Sequence, residues 1–150
     1  MRQTPLKRRT TIRRRSESKR RRDLGYAGEV RSLVLALRDA WNAARTPCVF
    51  CGARDGAVGR VANHHVLEKA WIKDVAVDRG WTAIERERAL WDLRIRLSVC
   101  ERRHLDHHAF VEGRRIPREV VLKHCPDVPG LSREWGLEAR FDRAYPAEAS

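Results

Sequence analysis

Long apolar runs are missing from this 150-residue sequence: nothing in it approaches the ~20 residues a helix needs to cross a bilayer. The basic N-terminus has no apolar stretch behind it, so a secretory signal is not expected. A soluble, cytoplasmic chain with no membrane partner follows as the expectation. Cysteine is scarce, with only four residues, at 48, 51, 100 and 125. Without a secretory route they do not favour a disulfide framework, and Cys48-Val-Phe-Cys51 followed by Gly52 reads instead as a metal-binding knuckle. Acid and apolar residues are nearly absent from residues 1–22. That segment holds eleven Lys or Arg against one acid, Glu17, and so carries +10 of the chain's +12. It cannot bury enough surface to offset the entropy of ordering, and a disordered basic arm is expected. Such an arm would follow a phosphate backbone by counterion release without reading sequence, with Arg8, Arg9, Arg13, Arg14, Arg15, Arg20, Arg21 and Arg22 as its contacts.

What remains, with 42% hydrophobic residues over the whole chain, suits one compact domain. From Tyr26 to Arg45, Val30, Leu33, Val34, Leu37, Trp41 and Ala44 recur at intervals of three and four, which predicts an amphipathic packing helix stopped by Thr46-Pro47. After the Asp55-Gly56 turn, Val58 to Asn63 reads as a short strand that delivers His64 and His65. Neighbouring residues on a strand point to opposite sides, so one histidine can face a metal while the other stays free. Residues 67–92 are expected to be largely helical, with a capping box at Thr82-Ala-Ile-Glu85 and with Trp71 and Trp81 closing the core. Leu93 to Val99 alternates apolar and polar residues, the pattern of a half-buried strand, with Arg94 and Arg96 on its outer face, either as phosphate contacts or as a solvated strand face. Cys100 to about Glu112 predicts a helix with His104 and His108 on one face, ended by Gly113. Another helix is expected to reach about His124. Beyond Leu131, a helix and a closing strand or coil are expected to serve packing and no chemistry.

A strand ending in His-His, a second strand and a helix carrying His-x3-His resemble the ββα-metal (His-Me finger) unit of HNH endonucleases. The resemblance covers roughly residues 48–110 and is sharpened by the Cys-x2-Cys before the first strand and the Cys-led helix after the second. The basic arm and the Ile116-Pro117, Trp135-Gly136-Leu137 and Tyr145-Pro146 segments are similar to small phage or prophage members. The resemblance implies an α+β fold: a zinc-stapled ββα-metal core at about 48–112, flanking helices and a helical extension over 113–150. Together these make a single HNH nuclease domain over residues 23–150, behind the arm of residues 1–22. His65 is implied as general base, and His64, His104 and His108 as ligands of one catalytic divalent ion, whether Mg²⁺, Mn²⁺, Ni²⁺ or Zn²⁺. Arg102 or Arg103 would hold the phosphate. Cys48, Cys51 and Cys100 would bind a structural Zn²⁺ that braces a small core.

Two positions depart from the family pattern. Arg103 stands where a second helix cysteine is usual. The fourth zinc ligand is therefore left to Cys125, or to His104 at Cys-x3-His spacing, or the zinc is absent. Ile95 stands near the place of the middle Asn, with Asn63 as a nearby substitute. The expected activity is hydrolysis of DNA phosphodiester bonds in a bacterial or phage-infected cell. The rival readings are a non-catalytic zinc-stabilised DNA-binding protein or phage DNA-packaging accessory factor, and an RNA-directed enzyme.

Overall fold

The computed structural model describes residues 28–54 and 60–147. The expected basic arm, the Asp55-Gly56 turn and the start of the first strand lie outside them. The chain divides into two units between Ala36 and Leu37. The boundary falls inside helix α1, Gly28–Ala43. The described residues form an α+β architecture of seven α-helices and one two-stranded sheet. None of these helices is long and apolar enough to cross a membrane.

The second unit is built on a β-hairpin-like pair and the helix that follows it. β1, Val61–His65, and β2, Arg96–Cys100, pair antiparallel with Val61 opposite Cys100, Asn63 opposite Ser98 and His64 opposite Leu97. This register splits the side chains between two faces. Asn63, His65, Arg96 and Ser98 share one; His64, Leu97 and Val99 share the other. Between the strands run α2, Lys69–Asp78, and α3, Ala83–Leu90. The capping box on α3 forms as its residues dictate: Glu85 N donates to Thr82 Oγ1 at 3.2 Å, and Thr82 N donates to Glu85 Oε2 at 2.7 Å. β2 leads without a break into α4, Glu101–His108. α5, Arg118–His124, α6, Val128–Glu134, and α7, Glu138–Ala144, complete the chain. A single apolar core takes Leu97 and Val99 from the sheet, Ile72 from α2, Val121 from α5, Leu131 from α6 and Phe141 from α7, with Trp41 buried among them.

Three boundaries differ from expectation. Leu93–Ile95 is a 3-10 turn, so β2 begins only at Arg96. The Asp92 carboxylate accepts from Arg94 N at 2.9 Å and from the Arg94 guanidinium at 2.7 Å, a local side-chain capping that outcompetes the ladder. Arg94 and Arg96 therefore do not share a strand face. α4 ends at His108 rather than near Glu112, because Phe110 adopts a left-handed φ of 57° and Val111 N bonds back to Asp106 O at 3.0 Å. The C-terminal segment forms two short helices separated at Gly136, whose φ of 73° suits a residue without a Cβ.

Candidate metal centre

The direct passage from β2 into α4 places two clusters of ligand-type side chains around one junction. Cys100 is the last residue of β2 and the N-cap of α4, while His104 and His108 follow one and two turns later on a shared helix face. Each cluster gathers three ligand atoms within 4.8 Å of one another: Cys48, Cys51 and Cys100 in one, His64, His104 and His108 in the other.

The cysteine cluster rests on a knuckle that its sequence shapes. Gly52 N donates to Cys48 O at 2.8 Å, and the Gly52 φ of 68° closes a turn that other residues adopt only with strain. Val49 N donates to Ser98 O at 3.0 Å and ties the knuckle to β2. Burial pushes the Cys48 thiol up, yet backbone N–H groups of Cys51, Phe50 and Cys100 point at its sulfur and hold it below its ordinary value. An arrangement that favours thiolate is the one a cation needs. Burial, helped by the neighbouring Cys48, raises Cys100.

Cys125 does not join this cluster. Its Sγ donates to Arg96 O at 3.2 Å, and burial raises it to about 11, so it remains a protonated thiol. The expected fourth ligand is corrected on that ground. His104 lies with His64 and His108, not with the cysteines. Arg103, at the usual place of the fourth cysteine, stacks its guanidinium over the Phe50 ring at 4.0 Å and so covers the knuckle. Its Nε is buried without a hydrogen-bond partner. Of the two arginines expected to touch phosphate, this one is turned to the knuckle, while Arg102 is exposed on α4.

The histidine cluster is built from both sides of the sheet–helix junction. His64 is fully buried, His104 half-buried and His108 exposed at the rim. His104 Nε2 and His108 Nε2 lie 3.1 Å apart. The His64 ring is 5.2 Å from each of theirs. His64 Nε2 meets the Tyr145 hydroxyl at 2.7 Å, and His64 Nδ1 is buried with no partner. Such an orphan costs ~1–3 kcal/mol unless something satisfies it. Burial first, and the neighbouring histidines second, hold His64 well below its ordinary value; the same causes lower His104. Three imidazoles gathered beside a buried, unpartnered ring nitrogen fit a divalent ion of borderline softness.

His65 leaves the opposite side of β1. Its ring stacks on Trp41 at 4.1 Å between centroids and 22° between planes, with the Trp91 edge 5.7 Å away. Its Nε2 lies 2.9 Å from Leu90 O. A carbonyl only accepts, so Nε2 carries the proton and Nδ1 keeps a lone pair. Burial, with the Lys69 ammonium second, lowers His65 to about 3, and the ring is neutral at physiological pH.

A cleft of about 520 Å³ opens beside both histidine groups, lined among others by Asn63, His65, Lys69, Trp91, His104 and His108. Lys69 Nζ stands 4.5 Å and the Arg38 guanidinium 5.3 Å from the centre of the Trp91 ring, giving the cleft a cationic wall. The sequence gives neither residue a signal: Arg38 stands beside Asp39 and Lys69 beside Glu68, ordinary charges on helices with no motif to mark them. Arg96, expected at phosphate, instead donates from Nη1 to Asn63 Oδ1 at 3.2 Å and to Ser98 Oγ at 2.6 Å. Asn63 also donates from Nδ2 to Trp41 O at 2.8 Å, so it braces the helix end that supports His65. Arg94 is held by Asp92. The expected arm contacts, Arg8 to Arg22, lie outside the described residues.

No family model matches this chain, and no curated protein or solved structure does either.

Proposed function

We propose that the chain is a metal-dependent endonuclease of the HNH type, hydrolysing phosphodiester bonds of DNA. One observation carries this reading: a paired His64–His65 on β1 sends one ring into a three-histidine ligand cluster and the other to the wall of the same cationic cleft. A strand pair followed directly by a His-x3-His helix is the order that the resemblance to ββα-metal nucleases requires.

His64, His104 and His108 would hold the ion. When bound, it supplies Lewis-acid stabilisation of charge on the phosphate and the leaving oxygen. His65 takes the proton of the attacking water at Nδ1, the nitrogen left bare by the bond to Leu90. The Trp41 stack and the Leu90 carbonyl fix its plane and tautomer, so little reorganisation is needed when the proton moves. A phosphate entering the cleft meets Lys69 and Arg38, whose charge offsets its own. Its negative charge also counters the Lys69 effect on His65 and raises the basicity of that ring when substrate is present. Phosphate and metal contacts of this kind carry no base readout, which fits cleavage with little sequence preference. The cysteine cluster would bind zinc as a brace.

The test is end mapping on labelled duplex DNA incubated with full-length, metal-reconstituted protein. Products with 3′-hydroxyl and 5′-phosphate ends, lost in His108→Ala, are expected. DNA that is bound but left intact with every ion would favour the non-catalytic DNA-binding reading instead.

A further inference from the structure

Tyr145 was expected only to pack, yet its hydroxyl is the hydrogen-bond partner of the most deeply buried histidine in the cluster. Its ring lies parallel to His107, 5.5 Å between centroids and 13° between planes, and rests against Phe141 at 5.3 Å. Arg118 Nη1 donates to Tyr145 O at 2.8 Å, and Arg115 Nη2 to Ala144 O at 2.8 Å, so the backbone around it is tied down from two sides. Across the His64 ring, Nδ1 is the buried atom without a partner.

A neutral imidazole carries one proton, on one nitrogen or the other. Placed on Nε2, that proton is donated to the Tyr145 oxygen, and the lone pair is left on Nδ1, the ring nitrogen that Tyr145 does not engage. Placed on Nδ1, it would be a buried donor with no acceptor, and the lone pair would be spent on the Tyr145 hydroxyl. We infer that Tyr145 is a positioning residue that fixes His64 in its Nε2–H tautomer and makes Nδ1 the ligand atom for a divalent ion shared with His104 and His108. The inference rests on the reading of those three histidines as a metal centre. It gives the C-terminal end of α7, which supplies no ligand, a part in the centre: Tyr145, the residue that caps the helix, provides the acceptor that orients a ligand, as outer partners of metal-bound histidines do.

The experiment uses the full-length chain labelled with ¹⁵N in histidine and titrated with Zn²⁺. Long-range ¹H–¹⁵N correlations report which His64 nitrogen is protonated and which is coordinated. Chelator competition gives the affinity at the histidine cluster. The expected result is coordination through Nδ1 with a proton on Nε2. Tyr145→Phe keeps the ring and removes the hydroxyl. It should weaken zinc at the histidine cluster ~10–100-fold and leave zinc at the cysteines unchanged. Leu131→Ala, in the core but outside both clusters, is the control for lost stability; it should lower the melting temperature without weakening zinc. Coordination through Nε2, unchanged affinity in Tyr145→Phe, or equal weakening in Leu131→Ala overturns the inference while leaving the metal centre standing. No zinc signature on His64, His104 or His108 in the wild type overturns both.

Discussion

Leu90 O accepts the Nε2 proton of His65 at 2.9 Å, and that contact decides which ring nitrogen is able to take a proton from water. His65→Ala should therefore lower cleavage by ~10²–10⁴, the usual worth of a general base, with zinc content and melting temperature little changed. Single-turnover cleavage and metal analysis on the same preparation check this; loss of metal together with rate would reassign His65 to ligation. The histidines also set a pH dependence of stability in the metal-free protein. Burial lowers His107, whose Nδ1 accepts from Ile116 N, to about 4, from an ordinary value of 6.5. His65 is lowered to about 3 by burial and Lys69. The unfolded chain takes up these protons near pH 6.5 while the folded chain refuses them, so stability is full above that pH and declines as the pH falls towards 4 and then 3. Urea-unfolding midpoints should fall steadily from pH 6.5 to 4, and a flat profile would contradict the buried, neutral state of these rings.

At the scale of elements, the sheet and α4 were legible because each carries a strong local signal. His-His ends an extended run, the residues before Cys100 alternate, and His104 and His108 stand one turn apart. The capping box on α3 was legible for the same reason, since its partners are three residues apart. What escaped was long-range or depended on side-chain competition. Asp92 captures Arg94 and delays β2, which a pattern of alternating hydrophobicity does not report. Tyr145 reaches His64 across 81 residues, and nothing near Tyr145 in the sequence announces it. Cys125 was drawn to the cysteine cluster by counting thiols, whereas the fold gives it the Arg96 carbonyl. The sheet itself makes a prediction. Leu97 is buried directly opposite His64, so Leu97→Ala should cost ~2–5 kcal/mol by chemical denaturation. A cost near zero would mean that the sheet does not bear on the core as described.

Across the whole molecule, charge and chemistry are separated. Of the +12, residues 1–22 hold +10, and the remaining residues, which carry both ligand clusters, are close to neutral. Deleting residues 1–22 should weaken DNA binding and flatten its salt dependence, with both ligand clusters retained, because each phosphate neutralised contributes about −0.9 to the slope of log K against log salt. An unchanged slope would remove the arm from the account. The central claim is catalysis by the two histidine groups together. It is tested most directly on supercoiled plasmid, using metal-stripped protein with Mg²⁺, Mn²⁺, Ni²⁺ or Zn²⁺ restored, beside His65→Ala. Nicking that needs an added ion and disappears in His65→Ala is the predicted result. Nicking that survives in His65→Ala, or none with any ion while the plasmid stays bound, would contradict the claim.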